Sequence, residues 1–203
     1  DAPGWLRVAK GKIVESGEGK APEAKGEVVD CGGLCLAPGI IDIGVKVSEP
    51  GERHKESFRS AGKAAAAGGV TTIVTRPDTT PAIDSPEILE FVARRAAAEA
   101  IVNVLPMAAL TKGRAGREMT EIGFLQDAGA VAFTDCDRVV SDTKVYARAL
   151  TYACSLGALV IAHPQEPILS KGAAANWPEK ILTEAGPVTV FNPGFPVHWH
   201  VEA

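Results

Sequence analysis

The sequence predicts an α/β protein: a series of βα units preceded by a small β segment. From residue 38 onward, short β-branched runs alternate with Ala-rich helical stretches, the rhythm of a parallel sheet whose strands are joined by crossover helices. Residues 1–37 instead read as short strands between Gly and Lys/Glu clusters, with no helical period. The length of 203 residues at 46% hydrophobic suffices for one globular core. The expected division is therefore residues 1–37, too short to bury a core alone, and residues 38–203.

In the first part, "GWLRVAKGKIVESGEG" and "GEVVDCGGLCLAPG" supply the strands and turns. In the second, strands are expected at "GIIDIGVKV", "GVTTIVTR", "IVNVLPMA", "AVAFTD", "ALVIAHP" and "PVTVFNP". Four helices separate the first five of them. "SFRSAGKAAAAGG" is Ala-rich and stops at Gly68-Gly69, where positive φ is tolerated. "DSPEILEFVARRAAAEA" offers Ser85 as N-cap and Pro86 at the first helical position. "REMTEIGFLQDAG" and "SDTKVYARALTYACSLG" each end on a Gly that leads into the next strand. This order fits an open doubly wound sheet or most of a (β/α)8 barrel, and in both folds the loops after the strand C-termini form the site.

Composition excludes several function classes. With 21 basic and 25 acidic residues the formal charge is -4, which argues against a general nucleic-acid surface. Cys31, Cys35, Cys136 and Cys154 contain no CxxC pair and no dense disulfide framework, as expected of a reduced, cytoplasmic protein. Every apolar run is broken by charge, Gly or Pro before it reaches bilayer length, so no membrane partner is expected.

The strand ends carry Lys46, Ser48 and Glu49; Arg76, Asp78 and Thr79; Met107; Asp135 and Asp137; His163 and Gln165. Asp135 and His163 are zinc-type ligands placed after runs of matching length. Equally, a strand-end Asp serves as a cap or turn residue, and a His beside Pro164 serves a structural role. Two ligands fall short of the usual three protein ligands and one open position of a catalytic centre. Lys46 reads as a general base, a carbamate-bearing metal bridge, or a side chain paired with a carboxylate such as Glu49. In the late "PVHWH", His198 and His200 would share one face of an extended strand, as a metal-binding pair requires.

The stretch from "LAPGIIDIGVKVSEPGERHKESF" to "TRPDTTPAIDSPE", with "ALTKGRAGREMTEIGFLQDAGAVAFTD" and "VVSD" after it, resembles the dihydroorotase family of metal-dependent cyclic amidohydrolases over roughly residues 28–166. The resemblance implies a TIM-type (β/α) barrel, here partial or rearranged, with a remnant of the family's small β domain before it. It implies a D-x-H-x-H-x-R run on the first barrel strand. Asp42 matches the aspartate, Gly44 and Lys46 stand at the histidine places, and Ser48 stands at the arginine place.

The family's substrate-binding asparagine falls on Asp78, beside Arg76, which leaves both as weak candidates for holding carbamoyl aspartate or dihydroorotate. Asp135, His163 and His200 resemble family metal positions and would hold at most one zinc ion; no metal and no catalytic residue is the leading expectation. The resemblance thus implies a dihydroorotase-like protein of pyrimidine biosynthesis that is catalytically impaired and acts by assembly with aspartate carbamoyltransferase or by self-association. The alternative is an active dihydroorotase interconverting N-carbamoyl-L-aspartate and dihydroorotate.

Overall fold

The computed structural model describes residues 3–23, 26–163, 179–183 and 186–190. The chain divides into two compact units, Asp1–Pro38 and Gly39–Ala203. In the first, β1 (Gly4–Ala9) and β2 (Lys12–Glu18) form an antiparallel hairpin. Its two loop residues, Lys10 and Gly11, both have positive φ, the twist that a tight hairpin needs. The stretch around "EVVDCGGLCL", expected as strand, turns back through Gly32 and Gly33 at positive φ but forms no ladder. The turn itself is closed by the Leu34 N–H donating to the Cys31 carbonyl at 2.9 Å.

The second unit is a partial (β/α) barrel. Strands β3 (Ile40–Val45), β4 (Val70–Thr75) and β5 (Asn103–Pro106) lie parallel in the order β3-β4-β5. Single parallel bridges from Ala108 to Phe133 and from Phe133 to Val160 continue the succession. The fourth and fifth expected strands are thus reduced to bridges, though they keep their places beside β5. The last expected strand, "PVTV", lies instead in β7 (Gly186–Val190), antiparallel to β6 (Glu179–Thr183). With only two residues between them the chain has no room for a crossover helix, so a hairpin is the one available pairing.

Helices α1 (Phe58–Ala67), α2 (Pro86–Glu99), α3 (Ile122–Asp127) and α4 (Thr143–Ser155) have identifiable starts and stops. Ser57 and Ser60 form a reciprocal capping box on α1, and Gly69 takes the left-handed conformation beyond its end. Ser85 and Pro86 stand at the start of α2 as expected, although the Ser85 side chain makes no capping bond. The Asp142 carboxylate accepts from the N–H groups of Lys144 and Val145 to start α4.

Helix α3 is shorter than its sequence period suggests. Lys112 N–H donates to the Glu118 carbonyl and Thr120 N–H to that of Leu110, which draws "REMT" into a return on the loop after β5.

Phe58, Ile73, Leu89, Val92, Ile122, Leu125 and Phe133 make the core between sheet and helices. On the opposite face Val74, Met107 and Ala132 form a smaller cluster joined by Ile161. Ile41 and Ile43, whose ladder partners are Thr72 and Val74, lie on that second face and are 61% and 66% exposed. Among the described residues the sheet is not closed into a barrel.

Candidate functional site at the strand mouth

The C-terminal ends of the parallel strands gather the polar side chains. Strand β3 reaches them through a bulge. Its register shifts between Ile43 and Val45, and the extra residue, Gly44, sits at φ 93°. Strict alternation would put Asp42, Gly44 and Lys46 on one face. The bulge breaks that alternation: Val45 pairs with Thr75 on the face of Asp42 and Ile73, so Lys46 follows Ile43 onto the other.

There Lys46 Nζ lies 3.0 Å from Asp78 Oδ2, and Arg76 Nη2 lies 2.9 Å from the same oxygen. Asp78 Oδ1, Arg76 Nε and Thr75 Oγ1 are buried and find no hydrogen-bond partner among the described residues. Arg76 also faces Asp137 at 3.7 Å, and Arg114 pairs with Asp137.

Burial works against the Arg76 charge, but Asp78, Cys136 and Asp137 outweigh it and hold the guanidinium above its ordinary pKa. Burial first, and then the Asp78 carboxylate, push the Cys136 thiol up. Asp137 goes the other way: burial opposes its charge, while a backbone N–H, Arg114 and Arg76 together hold its carboxyl below the usual range.

Asp135, read from the sequence both as a candidate metal ligand and as a cap or turn residue, is buried, and its oxygens accept from protein donors. Its Oδ1 accepts from the backbone N–H groups of Leu110 and Thr111, each at 3.0 Å, and its Oδ2 accepts from the Thr111 hydroxyl. Arg114, at φ 55°, donates through Nε and Nη2 to the Asp135 carbonyl at 3.1 and 3.0 Å. Asp135 therefore pins the loop after β5 to the chain that follows Phe133. His163 is half-buried just beyond the Val160 bridge, and His200 lies outside the described residues. Ser48 is half-buried and accepts from Glu52 N–H through its carbonyl at 2.8 Å.

Glu49 is not the partner of Lys46. Its Oε2 accepts from Phe58 N–H at the start of α1, while Arg95 of α2 donates to its Oε1 at 3.0 Å. The structure thus brings Lys46, Arg76 and Asp78 together and adds Arg114 and Cys136, which motif reasoning did not single out. "KGRAG" held the only signal for Arg114, a cation between two glycines.

A parallel sheet with its polar side chains collected at the strand C-termini is the arrangement of a (β/α) barrel-type protein. A family model described as dihydro-orotase-like matches residues 33–180, and the chain belongs to that family. It is 42% identical over 161 residues to a dihydroorotase of Geotalea daltonii and 41% identical over 171 to one of Sulfurihydrogenibium sp.. Those stretches are 79% and 84% of this chain but 38% and 40% of the relatives, so the chain spans about two fifths of their length.

Among solved structures, an L-hydantoinase (dihydropyrimidinase) from Arthrobacter aurescens matches with a TM-score of 0.69 at 20% identity, over 84% of this chain and 40% of that one. A D-hydantoinase matches with a TM-score of 0.63 at 25% identity, over 79% and 36%.

The family resemblance implies a metal centre at this mouth, and Gly44, Lys46 and Asp135 do not fit one. Gly44 has no side chain to ligate, Lys46 presents a cation, and Asp135 spends both oxygens on protein donors. Among the described residues no three His, Cys, Asp or Glu side chains are grouped to hold a metal ion. Among them, too, no helix is long and apolar enough to cross a membrane.

Proposed function

We propose that this chain is a catalytically impaired dihydroorotase-like protein of pyrimidine biosynthesis that acts by assembly, with aspartate carbamoyltransferase as its partner. The observation that carries the reading is the strand mouth. Opening a cyclic amide needs an activated water and a polarised carbonyl, and closing it needs the carboxyl polarised so that the ureido nitrogen can displace water; this class of protein obtains both from bound metal. Here Lys46, Arg76 and Asp78 form an ion-paired cluster, and Asp135 serves as a loop anchor. The assembly half draws support from β3, which among the described residues is an edge strand with exposed Ile40, Ile41 and Ile43, because open apolar edges are usually covered by a partner.

The names of the relatives favour a second reading, an active dihydroorotase. One preparation separates the two. The chain is purified without chelator, its zinc content is measured, and it is mixed with aspartate carbamoyltransferase of the same source for analytical ultracentrifugation. Substoichiometric zinc, no turnover of carbamoyl aspartate or dihydroorotate and a co-sedimenting complex support assembly. One or two zinc ions per chain with measurable ring closure would establish the enzyme reading instead.

A further inference from the structure

Two cations share one oxygen at the strand mouth. Lys46 Nζ and Arg76 Nη2 both lie within 3.0 Å of Asp78 Oδ2. The Asp78 side chain is 4% exposed while that of Lys46 is 55% exposed, so a buried carboxylate is paired with an ammonium that reaches solvent. A carboxylate removed from water must be paired or neutralised, and its other oxygen, Oδ1, has no hydrogen-bond partner among the described residues. The pairing is specified by the fold, because the Gly44 bulge sets the face on which Lys46 emerges. A divalent ion needs anionic or neutral donors and is repelled by a fixed cation at ligand distance.

We propose that Lys46, clamped with Arg76 on Asp78, is the built-in cation of this strand mouth, taking the place of a metal ion's charge and barring divalent cations from Asp78. The Lys46 side chain is fixed to the chain where a metal ion is exchangeable, and it holds the end of β3 to the loop after β4. Take it away and Arg76 alone is left to pair the buried Asp78 carboxylate. The proposal concerns the mouth alone, so it goes beyond the assembly reading and stands or falls separately from it.

Zinc is the probe, and the melting temperature of the whole chain is the readout. Wild type, Lys46→Met, Lys46→Arg, Asp78→Asn and the Lys46→Met/Asp78→Asn pair are melted across a zinc titration, with EDTA as the reversal. Lys46→Met is expected to melt several degrees lower than wild type, and wild type is expected to show no zinc response that Asp78→Asn abolishes. Lys46→Arg should behave as wild type. The two single losses in melting temperature should not add. Zinc taken by the exposed Cys31 or Cys35 would appear equally in every variant. The proposal is overturned if Lys46→Met melts no lower than wild type, or if wild type is already stabilised by zinc in a way that Asp78→Asn abolishes.

Discussion

Asp135 shows how one side chain can resemble a ligand and act as a girder. Its carboxylate takes two backbone N–H groups and a hydroxyl from the loop after β5, all buried. Asp135→Ala leaves those donors without an acceptor and should cost about 3 kcal/mol, read from the urea midpoint. Asp135→Asn keeps one acceptor oxygen and should cost clearly less.

Asp137 makes a pH-dependent contribution. Burial opposes its charge, but a backbone N–H, Arg114 and Arg76 prevail and lower its folded pKa. The stability it provides is therefore present above the unfolded value of about 4 and is lost as pH falls through the lower folded value. Asp137→Asn is expected to flatten the acid limb of a plot of stability against pH below that point and to leave the shape of the curve above it unchanged. An unaltered acid limb would contradict the pairing.

At the scale of the element, strand β3 is decided by one glycine. Gly44 has φ 93°, and a Cβ built on it meets nothing within 4 Å. Any cost of substitution is therefore backbone strain and not collision. Gly44→Ala and Gly44→His should lose nearly the same stability, about 1–2 kcal/mol. A much larger loss for His would show that side-chain packing governs the site. The same strain explains why restoring a histidine at 44 would not by itself rebuild a ligand. The helices are more legible than the strands: capping residues and Gly stops are local, and Pro86 and Gly69 stand where their chemistry places them, although Ser85 makes no capping bond. Helix α3 was over-read because the Thr120 hydroxyl donates to the Ala109 carbonyl at 2.8 Å, a tertiary bond that holds residues 117–121 out of the helix.

For the molecule as a whole, the notable feature is a parallel sheet with helices on one face and exposed Ile41 and Ile43 on the other. Parallel sheets are ordinarily covered on both faces. Ile41→Lys with Ile43→Lys should leave stability within about 0.5 kcal/mol of wild type, since both side chains are more than half exposed, while reducing any self-association or complex seen by sedimentation velocity. A large drop in melting temperature would mean that these residues are buried in the working protein.

By itself the sequence determined the βα order, the helix starts and stops, the family resemblance, and the residue types lost from the first barrel strand. Those properties are local or positional, carried by periodicity, caps and quoted motifs. Only the tertiary structure decided what the remaining polar residues do. It joined Lys46 to Asp78, assigned Glu49 to Arg95 and Phe58, and spent Asp135 on Leu110 and Thr111. The physical reason lies in the bulge and the loop returns. A single extra residue reverses which face a side chain occupies, and a buried carboxylate takes whichever donors the fold brings to it.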